Sequence, residues 1–270
     1  MEISQSLRSS LTLNGKCAIV TGAASGIGQA IAESLVDSGV RVVFAGRDKK
    51  RIDVAAQRAT ARGGEAIGVA VDVSQPDDIE NCVEIAISKF GSIDVLFNSA
   101  GSHHNLPLLE ITHASFDQLW KVNVIGLFFM LQACARHMIK QGRGGKIINV
   151  ASIAGREGRA GQLEYNATKA AVINLTRSAA LELIEHGIYV NAIAPGTVVT
   201  GMWRSIQKEV GEKLMHLDPD AFNRSVETLV PLKRLGAPSD MVGAALLLAS
   251  SASDYIVGQT INIDGGMIMD

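Results

Sequence analysis

The sequence predicts a doubly wound α/β fold built on one mostly parallel seven-stranded sheet with helices on both faces. Three observations carry this expectation. Short apolar runs alternate steadily with longer helical patterns from about residue 16 to residue 263. A turn of small residues, Thr21-Gly22-Ala23-Ala24-Ser25-Gly26-Ile27-Gly28, joins the first run to the first helical pattern. No Pro- or Ser-rich linker and no internal repeat interrupts the alternation. One domain over residues 14–270 is therefore expected, preceded by a short polar arm over residues 1–13.

The first strand is expected over residues 16–20, and the helix after the turn over residues 29–37, ended by Gly39. Strand, glycine turn and helix in that order suit a pyrophosphate. Small residues let the backbone approach it, and the helix N-terminus supplies N–H groups and a positive dipole end. The spacing is Gly-x-x-x-Gly-x-Gly, not the Gly-x-Gly-x-x-Gly of the longer-studied dinucleotide sites, and glycine turns also join strands to helices for packing alone.

A second strand is expected over residues 40–45. The residue after it should meet the adenosine ribose, where a carboxylate favours a 2′-hydroxyl and an arginine a 2′-phosphate. Gly46-Arg47-Asp48 stands there, so Arg47 is read as a phosphate partner and NADP as favoured over NAD. The competing reading leaves Arg47 merely exposed while Asp48 caps the next helix, residues 48–62. A third strand over 66–71 leads to Asp72-Val73, Pro76 opens a helix running to Phe90, and a fourth strand over 93–97 ends in Asn98-Ser99-Ala100-Gly101. Ligands in such sheets sit beyond the C-terminal strand ends, so Gly22, Arg47, Asp72 and Asn98 should converge on one crevice.

The loop over residues 102–107 carries His103 and His104. No third ligand lies at a spacing that completes a metal site, so loop or substrate contacts are expected instead. A long apolar helix over 115–138 contains Asn123, and a fifth strand over 146–150 delivers Ser152 just past its end. A helix over 162–185 carries Tyr165 and Lys169, followed by a sixth strand over 188–193. A helical insertion over 197–230, a helix over 238–250 and a last strand over 260–263 complete the chain.

Composition bounds the function. Of 270 residues, 47% are hydrophobic and 19% charged, which argues against disorder and for a sizeable core. The net charge is -2 with no basic stripe, so nucleic acid is not expected as the main partner. No apolar run approaches the ~20 residues of a membrane helix, and the N-terminus lacks a signal-peptide core. Cys17, Cys82 and Cys134 match neither a disulfide framework nor a metal pair, and fit a reducing cytoplasm.

Tyr165 and Lys169 stand four apart and so share a helix face. A phenol ordinarily titrates near pH ~10, and a cation within a few ångströms favours its phenolate. Such a tyrosine becomes a usable acid or base at neutral pH. At this spacing alone the pair is more often two neighbours on a solvated face. The predicted crevice and Ser152 are what give it chemistry.

With these motifs in place the chain resembles the single-domain short-chain dehydrogenase/reductase family, a Rossmann-like fold, from about Asn14 to Met267. The motifs are TGAASGIG (Thr21 to Gly28), Asp72-Val73, NSAG (Asn98 to Gly101), Asn123 in KVNVIG and Ser152 in NVASIAG. YNATK (Tyr165 to Lys169), PGTVVT (Pro195 to Thr200) and the late GQTINIDGG complete the set. The one departure is Ser99, where the family usually has a second Asn. The resemblance implies that Tyr165 exchanges a proton with the substrate oxygen, Lys169 lowers its pKa and holds the nicotinamide ribose, and Ser152 hydrogen-bonds the substrate oxygen. Asn123 would support a relay water. Gly22, Ser25, Gly26, Ile27 and Gly28 would hold the pyrophosphate, Asp72 and Val73 the adenine, and Asn98, Ala100 and Gly101 the adenosine side. Pro195, Gly196, Val198 and Thr200 would embrace the carboxamide. The implied activity is an NAD(P)-dependent interconversion of secondary alcohol and ketone, by a homotetramer.

Substrate recognition is expected from His103, His104, Glu157, Gln162 and Trp203, whose polar groups suggest a sugar, polyol or hydroxy acid. The alternative is a 3-oxoacyl-(acyl-carrier-protein) reductase-like enzyme, which wants a basic patch; Lys208, Lys213, Arg224 and Arg234 are scattered. A serine hydrolase would need Gly-x-Ser-x-Gly, which neither Ser25 nor Ser152 satisfies. A nucleotide-sensing scaffold without chemistry would typically lack the Tyr or the Lys.

Overall fold

The computed structural model describes residues 4–212 and 215–269. Strands β1 (Cys17–Thr21), β2 (Arg41–Gly46), β3 (Ala66–Ala70), β4 (Val95–Asn98), β5 (Gly145–Val150), β6 (Ile188–Pro195) and β7 (Thr260–Ile263) form one sheet. Its order is β3-β2-β1-β4-β5-β6-β7, and all six pairings are parallel. The chain winds outward from β1 to β3, returns, and winds the other way from β4. The order reverses between β1 and β4, and a crevice opens there beyond the strand ends.

Alternate strand residues face opposite sides, and both sides are apolar. On one face Ala18, Val20, Val42, Phe44 and Phe97 pack under helices α2 (Gly26–Asp37), α3 (Lys49–Thr60) and α10 (Val242–Ala249). On the other, Cys17, Ile19, Val43 and Leu96 pack under α4 (Pro76–Phe90) and α6 (Leu127–Gln141). All three cysteines are free, buried thiols in this second layer. Burial pushes Cys17 and Cys82 up to about 12, and raises Cys134 well above the ordinary thiol value.

Four sequence expectations change. Gln5–Leu11 forms a helix, α1, within the expected arm: Ser4 Oγ accepts from Leu7 N–H at its start, and Ser251 Oγ donates to Ser10 O at 2.9 Å. The helix expected over 115–138 is divided. Helix α5 (His113–Trp120), opened by a Thr112/Ser115 capping box, runs into a π-helical turn, Lys121–Gly126, before α6 begins. The insertion resolves into α8 (Gly201–Ile206), a π-helical turn (Gln207–Glu212) and α9 (Pro219–Glu227), with Lys213 outside the described residues. Finally, His113–Gln141 is long and apolar enough to cross a membrane, although no single run in it is unbroken; half of that apolar window is buried inside the fold. Its packing on the sheet accounts for its composition. The remaining long helix, α7 (Leu163–Leu183), lies beside β6 and carries Tyr165 and Lys169.

Candidate active site

Beyond the ends of β1 and β4 lies a cleft of about 690 Å³, within the range of about 300–1,000 Å³ common for ligand sites. Gly22, at φ +69°, turns the chain off β1 so closely to β4 that a Cβ there would stand 2.9 Å from Ala100 N. A Cβ on Gly28 would meet Gly22 O at 2.6 Å, so the first turn of α2 can sit on the glycine turn only without a side chain. Thr21 Oγ1 secures the junction by accepting from Ser99 N–H and Ala100 N–H, each at 3.1 Å. Ser25 at the N-cap makes no side-chain cap, and the α2 terminus faces the cleft. This bare, amide-rich cradle fits a pyrophosphate.

Ser152, Tyr165 and Lys169 all line the same cleft. Ser152 is extended at the end of β5 and caps a short turn, Ile153–Gly155, its Oγ accepting from Ala154 N–H at 3.1 Å. That turn rests on the α7 backbone: a Cβ on Gly155 would lie 2.6 Å from the Lys169 carbonyl carbon. Lys169 is 5% exposed, and its Nζ donates to Val150 O at 2.8 Å and stands 5.7 Å from the centre of the Tyr165 ring. Burial lowers Lys169 to about 8.

The Tyr165 phenol departs from expectation. Burial raises its pKa above the ordinary value, and a hydrogen bond with Ser152 offsets part of the rise. Lys169 does not offset the rise, its Nζ being anchored to Val150 O and 5.7 Å from the ring centre.

At the adenosine end the wall contains Gly46, Arg47, Asp48, Arg51, Asp72 and Val73. Asp48 does cap α3, accepting from Arg51 N–H at 3.1 Å. Arg47 and Arg51 are both exposed, and neither has an ion-pair partner among the described residues. The Asp72 carboxylate accepts from Ser74 N–H (2.9 Å) and Ser74 Oγ (2.7 Å), which fixes the end of the β3 loop. Ser25, Gly26, Ile27, Gly28, Ala100, Gly101, Pro195, Gly196, Val198 and Thr200 complete the expected cofactor wall, and a Cβ on Gly26 would meet Thr200 Cγ2 at 3.1 Å.

Four expected residues lie elsewhere. Asn98 is 2% exposed and turned into the sheet, where its Nδ2 donates to Asn149 Oδ1 (3.0 Å) and Leu127 O (3.3 Å). Asn123 is equally buried. Its Oδ1 accepts from Ser102 N–H at 2.8 Å and its Nδ2 donates to Ser102 O and Thr168 Oγ1, which ties α7 to the loop after β4. His104 turns away from the cleft to Glu164, and Glu157 pairs with Arg159. Of the expected substrate groups, His103, Gln162 and Trp203 line the cleft. Trp203 is anchored, however: Nε1 donates to Asn223 Oδ1 at 2.9 Å and its ring stacks on Phe222. The His103 ring meets Tyr165 edge-on, with ring centres 4.5 Å apart. Arg51, Arg159 and Met202 are wall residues the sequence reading missed. Arg51 had a usable signal, standing in the first turn of the helix that Asp48 caps. Among the described residues no group of three or more His, Cys, Asp or Glu is placed to hold a metal.

Comparison with known proteins agrees with this geometry. The family described as enoyl-(acyl carrier protein) reductase matches residues 22–268. The chain is 47% identical to the sorbitol dehydrogenase of Cereibacter sphaeroides over 258 residues, covering 95% of this chain and 98% of that one. It is 42% identical to the galactitol 2-dehydrogenase of Agrobacterium fabrum (95% and 98%) and 37% identical to a 3-oxoacyl-(acyl-carrier-protein) reductase of Staphylococcus aureus (94% and 98%). Among solved structures, a gluconate 5-dehydrogenase from Burkholderia cenocepacia, in complex with NADP and tartrate, superposes with a TM-score of 0.87 at 32% identity, covering 96% and 97%. A 7α-hydroxysteroid dehydrogenase complexed with NADH gives 0.89 at 32% identity, covering 97% and 98%.

A nicotinamide-dependent oxidoreductase acting on CH–OH groups is the class that this fold and these relatives define. The chain belongs to the short-chain dehydrogenase/reductase family.

Proposed function

We propose that this chain is a polyol or sugar-alcohol dehydrogenase that uses NADP(H). The observation that carries the reading is the junction of two halves in one cleft: the amide-rich glycine turn at one end, and Ser152, Tyr165 and Lys169 at the other. The polar wall beside Tyr165, made by His103, Gln162 and Arg159, suits a substrate with several hydroxyls. The names of the sorbitol and galactitol relatives support the same class.

When bound, the nicotinamide supplies the hydride acceptor for oxidation and the donor for reduction. Gly22, Ser25, Gly26, Ile27 and Gly28 would hold the pyrophosphate and Asp72 and Val73 the adenine; Ala100, Gly101, Pro195, Gly196, Val198 and Thr200 line the remaining wall. Arg47 and Arg51, with no acidic partner among the described residues, suit a 2′-phosphate, while the Asp48 carboxylate is engaged at the α3 cap. In oxidation, Tyr165 Oη takes the proton of the substrate hydroxyl. Ser152 Oγ donates to the same oxygen and steadies the charge that develops on it. Lys169, whose Nζ stands 5.7 Å from the centre of the Tyr165 ring, would hold the nicotinamide ribose beside the phenol. Reduction runs the same proton backwards.

A 3-oxoacyl thioester reductase has less support. Arg234, one of the basic residues a carrier patch would use, is held by Asp240 through two hydrogen bonds of 2.6 and 2.9 Å. Residues 14–270 are read as the one catalytic domain. We read the protein as cytoplasmic, on its three free thiols, and as a homotetramer. Phe116, Ile125, Phe128, Phe129 and Leu181 leave apolar area uncovered on the outer helices, which a second copy would bury. The substrate reading is tested by screening D-sorbitol, galactitol, gluconate and simple ketones with both cofactors. Turnover of acyl thioesters alone would overturn it.

A further inference from the structure

Glu164, the residue before Tyr165, is a buried carboxylate that the chemistry above does not use. It is 2% exposed and does not line the cleft. A carboxylate buried this deeply is costly unless its oxygens are bonded, and both are. Oε2 meets Nε2 of His104, and Oε1 lies 3.1 Å from Ser115 Oγ. Three elements therefore meet on one side chain: α7, the capped start of α5, and the loop that follows β4.

That loop is tied at three points. Its first residue, Ser102, is held through both its N–H and its carbonyl by the Asn123 carboxamide, which also reaches Thr168 on α7. Its middle is held by the His104–Glu164 contact. Its end is held by Leu106 N–H donating to Gly161 O at 3.0 Å. Between the first two ties His103 projects into the cleft, edge-on to Tyr165 at 4.5 Å. Burial, then repulsion from His104 and Lys169, lowers His103 to about 4, so its ring is neutral at physiological pH. A neutral imidazole offers one donor and one acceptor, the pair a substrate hydroxyl complements.

We propose that Glu164 is a positioning residue: through His104 it fixes the loop that holds His103 against Tyr165, and so sets recognition of a second hydroxyl on the substrate. This rests on the hydroxylated-substrate reading above. Remote hydroxyl recognition is uniform binding, which appears in KM rather than kcat.

The test compares Glu164→Ala, Glu164→Gln, His103→Ala and the Glu164→Ala/His103→Ala double variant, with D-sorbitol, galactitol and 2-propanol. Glu164→Ala is expected to raise KM for the polyols about tenfold, the value of one lost hydrogen bond. KM for 2-propanol, which has no second hydroxyl, should move less than about twofold, and Glu164→Gln, which keeps an acceptor, should recover most of the loss. The double variant should be no worse than His103→Ala, because both changes act through one ring. Without substrate, the His103 Cε1–H resonance, displaced by the Tyr165 ring, should move towards its unstructured position in Glu164→Ala and stay in Glu164→Gln. Equal KM effects on both substrate classes, additive losses in the double variant, or an unmoved His103 resonance would overturn the proposal. A wild type that turns over no polyol would refute the substrate reading, and with it the hydroxyl-recognition role; the resonance would still report whether Glu164 fixes the loop. Should Glu164→Ala not fold, His104→Ala breaks the same tie and takes its place.

Discussion

Replacing Gly155 by alanine tests how the Ser152 turn is set against the Tyr165 helix. A Cβ at Gly155 would lie 2.6 Å from the Lys169 carbonyl carbon, 2.7 Å from its oxygen and 2.8 Å from Ala170 N. Carbon atoms in contact prefer about 3.5–4.0 Å, so the shortfall is about 1 Å. All three opposing atoms are helix backbone, which cannot rotate aside. The turn Ile153–Gly155 must withdraw from α7, and Ser152 at its cap withdraws with it. Separating Ser152 Oγ from Tyr165 by that distance takes their hydrogen bond out of range, and a misplacement of this size costs about 10²-fold in rate. Overpacking adds a stability loss of about 1–3 kcal/mol. The assay is kcat for polyol oxidation beside the affinity for reduced cofactor, read by fluorescence titration. Affinity should hold within about twofold, since none of the three atoms nearest the new Cβ belongs to the glycine turn. A kcat within about threefold of wild type would refute the reasoning.

Other outcomes follow from the same geometry. Arg47→Ala and Arg51→Ala should each raise the KM for NADPH more than that for NADH, while equal effects would remove the 2′-phosphate role. Lys169→Met should abolish turnover yet raise thermal stability at pH 7. Its folded pKa of about 8 lies below the ordinary lysine value, so the charged form opposes folding below that pH, by on the order of 3 kcal/mol. The penalty fades as pH climbs from about 8 to the unfolded value, and the orphaned Val150 carbonyl takes back about 1–3 kcal/mol. The calorimetric advantage of the variant should therefore shrink with rising pH; an advantage that grows would contradict the assignment. Light scattering should show four copies per particle, and a monomer would leave the exposed phenylalanines unexplained.

Much of the fold was legible because local signals agreed with one another. Helix α4 begins at Pro76 and ends at Phe90 before Gly91, which adopts φ +78°, so its bounds match the expected ones. Strand β7 likewise occupies the expected residues. The convergence of Gly22, Arg47, Asp72 and Ser152 on one cleft follows from parallel strand order, whereas Asn98, expected with them, turns into the sheet. What eluded the sequence is what tertiary contacts decide. The π-helical turn at Lys121–Gly126 leaves no periodic trace, and the inward rotation of Asn98 depends on Asn149 one strand away. His103 and His104 read alike as neighbours in a loop, yet one faces Tyr165 and the other a buried carboxylate sixty residues on. The direction of the Tyr165 shift was misjudged because helical spacing reveals the Lys169 charge but not the burial of both groups.

The central claim is that Tyr165 moves the proton while a nicotinamide carries the hydride. Its most direct test follows the absorbance of reduced nicotinamide as D-sorbitol or galactitol is added to enzyme and oxidised cofactor, for wild type and for Tyr165→Phe. Wild type should reduce the cofactor, and Tyr165→Phe should lose turnover while binding the cofactor within about tenfold of wild type. Turnover by Tyr165→Phe at a rate near that of wild type would contradict the account.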